Sequence, residues 1–230
     1  MSFAPYEMTS FFPHNRIICG DALHIVKSLP DKSIDLIVTD PPYGDNVSYG
    51  PRAIRIAGNK DPLIALLVLS EAYRVLKMHT TTYVFCGMRH LCFLRSFFTQ
   101  YTRYKVREVI IWNKVNMGLG HAFRKQYECI MVLEKGTPHY RNHQMLNLLH
   151  HKRVRSSHHP HTKPLDLMKA LILHSSDKGQ VVLDPFVGSG TTALAAKQLQ
   201  RDYIGIDLEH GYCKVAEKRL HPLPEAARAT

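Results

Sequence analysis

The sequence has no CxxC pair, and its five cysteines (Cys19, Cys86, Cys92, Cys129 and Cys213) are odd in number and widely spaced. That pattern argues against a zinc ribbon or a disulfide framework and fits a reducing cytoplasm. Cys19, Cys86 and Cys129 lie in apolar runs, where a cysteine reads as a small buried thiol. Long hydrophobic runs are missing too. The longest, Leu63–Leu69, falls far short of the roughly 20 residues that span a bilayer, so no membrane partner is expected. The opening MSFAPYEMTS has no basic region followed by an apolar one, and no signal peptide is expected. Trp112 is the single tryptophan; a place in the core and a place beside a bound base are both open to it. Acid is scarce: 30 Lys and Arg face 19 Asp and Glu, for a formal charge of +11. A nucleic-acid partner fits that charge, and so does plain solubility.

The scarcity of acid is concentrated in one place. Lys135–Leu165 has no Asp or Glu, but six Lys or Arg and seven His. A solvated basic linker reads this way. So does a segment that meets a polyanion, because each acid there would repel phosphate. The histidines His158, His159 and His161 have no cysteine near them and no partner at metal-ligand spacing, so no metal is expected.

Against these absences stands a regular alternation. Short apolar runs at Arg16–Cys19, Ile34–Thr39, Thr82–Cys86, Val106–Trp112, Cys129–Leu133, Val181–Leu183 and Tyr203–Ile206 read as strands. Between them Ala22–Leu29, Pro62–Lys77, His90–Gln100, Pro164–Ser175, Thr192–Gln200 and Gly211–Leu220 carry helical spacing or helix formers. Strands alternating with helices predict an α/β domain with a largely parallel sheet. The neighbouring runs around 105–112 and 127–133 are placed as an antiparallel pair at one edge. The whole chain, 1–230, reads as a single domain, with basic loops at 44–60 and 135–163. The first of these contains Arg52, Arg55 and Lys60 and follows a strand directly; loops of such length are commonly functional.

Two motifs sit where chemistry is expected, beyond the carboxyl ends of strands. Asp40-Pro41-Pro42-Tyr43 follows the apolar strand Ile34–Thr39. Proline removes two backbone donors there, leaving carbonyls to accept from a ligand amine. Asp40 adds an acceptor, and Tyr43 adds a flat ring. An ordinary proline-rich turn would have the same four letters. The second motif, Asp184-Pro185-Phe186-Val187-Gly188-Ser189-Gly190-Thr191-Thr192, leaves the strand Val181–Leu183 and opens a helix. It lacks the lysine of a phosphate loop. About 20 residues later a second strand ends in Asp207, a spacing at which an acid commonly binds ribose hydroxyls. The pair reads as a nucleoside-cofactor pocket.

Together these motifs resemble the amino-methyltransferases of DNA, which modify adenine N6 or cytosine N4. The order, DPPY before FVGSG, resembles the beta group of that family. The resemblance extends to Gly20-Asp21-Ala22-Leu23, to Leu29–Asp35, to Ile111-Trp112-Asn113-Lys114, and to the HPxxKP-like His159–Pro164. It covers the chain from about Arg16 to Leu220. It implies a Rossmann-like fold with a mostly parallel seven-stranded sheet and helices on both faces, and S-adenosylmethionine as cofactor. It places Asp40, Pro41, Pro42 and Tyr43 in the catalytic positions. Asp184, Phe186, Gly188, Ser189, Gly190 and Thr191 fall in the cofactor turn, Asp207 at the ribose, and Asp21 at the cofactor's adenine end. DPPY, as opposed to SPPY or SPPF, leans toward adenine. Relatives acting on cytosine N4, RNA or a protein amide share the fold. The short stretch left for target recognition departs from many relatives.

Double-stranded DNA is the expected partner, with a homodimer and a cognate restriction enzyme as further candidates. Arg52, Arg55, Lys152, Arg153 and Arg155 are the expected phosphate contacts. Arg124 and Lys125 read equally as phosphate contacts or as a solvated face.

Overall fold

The computed structural model describes residues 13–42, 62–116, 118, 122–154 and 162–221. Within them eight strands alternate with six helices. The strands are β1 (Arg16–Cys19), β2 (Ile34–Thr39), β3 (Leu76–Cys86), β4 (Lys105–Asn113), β5 (Tyr127–Lys135), β6 (Leu148–His150), β7 (Val181–Asp184) and β8 (Asp202–Asp207). The helices are α1 (Ala22–Ser28), α2 (Pro62–Val75), α3 (Met88–Tyr101), α4 (Leu165–Ser175), α5 (Thr191–Gln198) and α6 (His210–Leu220). One sheet contains all the strands, in the order β1-β8-β7-β2-β3-β5-β4-β6. Every neighbouring pair is parallel except the two that involve β5, which alone runs against the others.

The expected α/β architecture is present, with one more strand than the seven read from the sequence. The extra strand, β6, is three residues long and lies parallel to β4. It takes the sheet edge that had been assigned to the antiparallel pair β4–β5. So short a segment carries no alternation that a sequence pattern could show. β3 also starts six residues earlier than expected, at Leu76, which pairs with Ile34; the register then shifts, around His79 with its φ of 63°, before Leu36 pairs with Thr81.

The strands alternate in which face they present. Ile34 and Ile37 of β2, Val84 of β3 and Met131 of β5 pack under α1, α2 and α3. Leu36 and Val38 of β2, Phe85 of β3 and Ile130 of β5 pack under α4 and α5. All six residues of β2 are buried, as expected of a central strand covered on both faces. Its one charge, Asp35, is matched inside: Lys77 Nζ lies 2.8 and 2.9 Å from the carboxylate oxygens, and the backbone N–H of Val181 donates at 2.9 Å. Helix α5 packs closely because its inner face is small, with Ala193, Ala195 and Ala196 all buried.

The strand order decides where ligands go. From β2 the chain moves through α2 to β3 on one side. From β7 it moves through α5 to β8 on the other. The connections diverge between β2 and β7, and a crevice opens at the carboxyl ends of that pair.

Candidate active site

Both sequence motifs end at this crevice. β2 and β7 are in register at Leu36↔Val182 and Ile37↔Leu183. Asp40-Pro41-Pro42 therefore leaves the sheet beside Asp184-Pro185-Phe186, although the two are far apart in sequence. A direct contact joins them: Thr39 Oγ1 donates to Asp184 Oδ1 at 2.7 Å.

Asp184 is buried and its carboxylate is turned inward. Besides Thr39 it accepts from Thr192 Oγ1 (2.5 Å) and from the N–H of Phe186 (3.1 Å). Burial pushes its pKa up to about 6, against the pull of those three donors, and the nearby Asp40 adds to the rise. One residue thus ties the end of β2, the start of the glycine turn and the first turn of α5 together. Ser189 and Thr191 are also buried, and their oxygens receive Arg219 of α6: Nη1 lies 2.6 Å from the Ser189 carbonyl, 2.9 Å from Ser189 Oγ and 3.1 Å from Thr191 Oγ1. Gly190 has φ of 80° and forms the N-cap of α5. A Cβ there would lie 2.7 Å from Ala216 Cβ and 2.9 Å from Ala216 Cα. Gly190 is thus required by the approach of α6.

Gly188, Phe186 and Asp207 form the open side of the turn. The N–H of Gly188 donates to Asp207 Oδ2, and the N–H of Glu209 donates to Asp207 Oδ1, both at 2.9 Å. Burial raises the Asp207 pKa, and these two backbone donors oppose the rise. Carboxylate oxygens accept more than one bond, so Asp207 retains capacity for ligand hydroxyls. Asp21 lies past the end of β1, which runs beside β8 with Cys19 opposite Asp207. It is exposed and caps α1 by accepting from the N–H of His24 at 2.7 Å. Two acids at adjacent strand ends around a glycine turn fit a nucleoside with a ribose diol and a base edge.

The other wall comes from residues whose part the motif reading did not single out. Lys163, from the HPxxKP-like segment, has its Nζ 2.5 Å from Asp40 Oδ2 and 3.1 Å from Glu128 Oε2. Lys114, from the WNK segment, reaches Glu128 Oε1 at 2.7 Å. Burial alone would raise the Glu128 pKa, but Lys163 and Lys114 outweigh it and hold the carboxyl well below the usual carboxylate range. Burial would likewise lower that of Lys163, and Asp40 and Glu128 reverse this and raise it. Trp112 packs in the core, 2% exposed; it is edge-on to Phe85 (84° between rings), and its Nε1 donates to the His151 carbonyl at 2.8 Å. The reading that put Trp112 beside a substrate base is thereby set aside. Cys86 and Cys129 are buried as expected, but Cys19 is exposed, because β1 is an edge strand and its last residue opens onto the crevice rim.

The basic segment divides. Lys135 is buried at the opposite end of the sheet, where Nζ donates to the carbonyls of Tyr73 (2.6 Å) and Leu76 (2.7 Å). Arg141 pairs with Asp177 at 2.5 Å, and Lys163 is committed to the crevice. Lys152 and Arg153 are exposed. They follow β6, whose His150 pairs with Asn113 at the end of β4, so they emerge on the same edge as Asp40. Arg124 and Lys125 lie exposed in the β4–β5 connection, also at that edge. Tyr43, Arg52, Arg55, Arg155 and the histidines 158, 159 and 161 lie outside the described residues.

A mostly parallel sheet whose switch point holds a glycine turn between two acid-ended strands fits the fold of the S-adenosylmethionine-dependent methyltransferases. The chain belongs to the DNA methylase family of adenine-N6 and cytosine-N4 enzymes, whose model matches residues 34–218. It is 32% identical to the type II methyltransferase M.HpaI of Haemophilus parainfluenzae, over 89% of this chain and 74% of that protein. It is 31% identical to the DNA adenine methyltransferase YhdJ of Escherichia coli K12, over 89% of this chain and 82% of that one. Among solved structures, the M1.HpyAVI–SAM complex superposes with a TM-score of 0.72 at 26% identity, covering 90% of this chain and 98% of that chain. Among the described residues, no helix is long and apolar enough to cross a membrane.

Proposed function

We propose that this DNA methyltransferase is site-specific and modifies the exocyclic N6 of adenine in double-stranded DNA. The observation that carries the reading is the pairing at the switch point: the Asp40-Pro41-Pro42 edge stands against the glycine turn, with Asp40 held from behind by Lys163. The aspartate of this motif, in place of serine, favours adenine over cytosine.

Bound S-adenosylmethionine supplies an electrophilic methyl group. Phe186, Gly188, Asp207 and Asp21 would hold the cofactor, while Asp184, Ser189, Gly190 and Thr191 shape the turn that would receive it. The target base leaves the duplex, because its amino nitrogen is out of reach inside the stack. Tyr43 stacks on the extruded ring. Asp40 and the Pro41 carbonyl accept hydrogen bonds from the amino group, which aims the nitrogen lone pair at the methyl group. The enzyme contributes positioning and electrostatic stabilisation, with no covalent intermediate. In keeping with that, burial pushes the thiol of Cys86, the cysteine at the end of β3, up to about 12, with Cys129, Asp40 and Glu128 adding to the rise. It carries no thiolate nucleophile at neutral pH. Lys152 and Arg153 meet phosphate at this edge, and Arg52, Arg55 and Arg155 are further phosphate contacts. The enzyme works in the cytoplasm, and pairing with a second copy or a cognate restriction enzyme is consistent with its type II relatives.

The test is to express the protein in bacteria that lack their own DNA methylation and to sequence the DNA with modified bases identified. N6-methyladenine at a defined sequence is expected. N4-methylcytosine would move the substrate to cytosine, and unmodified DNA alongside methylated RNA or protein would refute the reading.

A further inference from the structure

Asp40 differs from the other two acids of the site in how its backbone can hold it. Asp184 accepts the N–H of Phe186, and Asp207 accepts the N–H of Glu209, each donor two residues further on. This local turn orients a carboxylate at no expense to the rest of the fold. At Asp40 the two following residues are Pro41 and Pro42, and neither has an N–H to give. A charged donor reaches it from 123 residues away: Lys163 Nζ, on Asp40 Oδ2.

The donor is itself tightly held. Its ammonium is buried, bridges Asp40 and Glu128, and stands over two rings, 5.0 Å from the centre of Phe85 and 5.9 Å from that of Trp112. Lys114 fixes Glu128 from the far side. The result is a row of alternating charge, Lys114–Glu128–Lys163–Asp40, that crosses from the β4–β5 end of the sheet to β2. An ammonium with two carboxylates and two aromatic faces around it has few other places to go.

We infer that Lys163 is the positioning residue of the methyl-transfer reaction, holding the Asp40 carboxylate in the orientation in which it accepts from the target amino group. Glu128 anchors the lysine. The role suits the DPP sequence, which frees backbone carbonyls for the substrate but leaves the two residues after Asp40 without an N–H to hold it as Asp184 and Asp207 are held. This inference rests on Asp40 being the group that receives the target amine.

The test is a double-mutant cycle on an unmethylated duplex carrying the target site, read as the single-turnover transfer rate, with cofactor affinity measured by calorimetry and stability by thermal melting. Lys163→Met keeps the length of the side chain and removes the charge. It should slow transfer by about 100-fold, the scale set by a misplaced reacting group, and leave cofactor and DNA affinity unchanged. In an Asp40→Asn background the same change should do almost nothing further, since residues acting as one unit are not additive. If removing the lysine leaves Glu128 uncompensated and the single variant unfolds, Lys163→Met with Glu128→Gln restores charge balance. That protein should melt like the wild type and still transfer slowly. Additive losses, or a stable double variant with full activity, would show that Lys163 is structural only. Weaker cofactor binding with an intact transfer rate would assign it to the cofactor. Either result overturns the inference. Wild-type transfer by Asp40→Asn alone would remove the assigned role of Asp40, and the inference with it.

Discussion

Two glycines with nearly the same backbone separate strain from crowding. Gly190, in the cofactor turn, has φ of +80°, and Gly179, before β7, has φ of +76°. Alanine at either site is forced into the left-handed region, which costs about 1–2 kcal/mol. At Gly179 nothing else lies within 4 Å of the new Cβ. At Gly190 the new Cβ would meet Ala216 Cβ at 2.7 Å and Ala216 Cα at 2.9 Å. The Cα is backbone of α6 and cannot rotate away, so α6 must shift and overpacking adds about 1–3 kcal/mol. For a chain of this size, about 2–4 °C of melting temperature accompanies each kcal/mol. Gly179→Ala should therefore melt about 2–8 °C below the wild type, and Gly190→Ala about 4–20 °C below it. Differential scanning calorimetry of the three proteins without cofactor is the assay. If Gly190→Ala melts no lower than Gly179→Ala, the contact with α6 is soft and the account of Gly190 as a packing requirement is wrong.

Further expectations follow from the same geometry. Asp184 is fully buried and its carboxyl is raised to about 6, so the folded state binds an extra proton between there and the free aspartate value. Stability from this group is complete below about pH 4 and declines by about 3 kcal/mol as pH rises through 6. Urea titrations of wild type and Asp184→Asn at pH 4 to 7 should show the wild type losing ground to the variant by that amount, and a constant difference would refute it. Asp207→Asn replaces one carboxylate oxygen with a donor that opposes a backbone N–H. Calorimetry should find cofactor affinity reduced at least about tenfold, near 1.4 kcal/mol, and an unchanged affinity would detach Asp207 from the cofactor. Neutralising Lys152, Arg153 and Arg155 together should flatten the salt dependence of DNA binding by about two to three units of log–log slope, since each phosphate contact contributes about 0.9. The loss should be similar for all sequences, because phosphate contacts carry no base information. An unchanged slope would leave these residues as solvated surface.

The sequence alone determined seven of the eight strands described, the six helices and the family. Apolar strand runs, helices between most of them and the acids at the ends of β2, β7 and β8 are local signals, set by backbone geometry within a few residues. DPPY and FVGSG were legible for the same reason: proline and glycine act on their own backbone. The fate of each charge was not local. Lys135, Arg141 and Lys163 belong to one acid-free stretch; the HPxxKP-like segment sets Lys163 apart, but no local pattern names the partner of any of the three. The fold sends one to the carbonyls at the base of the sheet, one to Asp177 and one to Asp40. Glu128 has no motif around it, and its part in the site exists only because β5 runs antiparallel to β3 and starts at the crevice. Trp112 was undecided between core and site until β6 delivered the His151 carbonyl to its ring nitrogen. Gly190 was legible as a turn residue, but its neighbour Ala216 was not. Ion pairs, close approaches and buried donors join residues through space, and the strand order, which no local pattern encodes, chooses the partners.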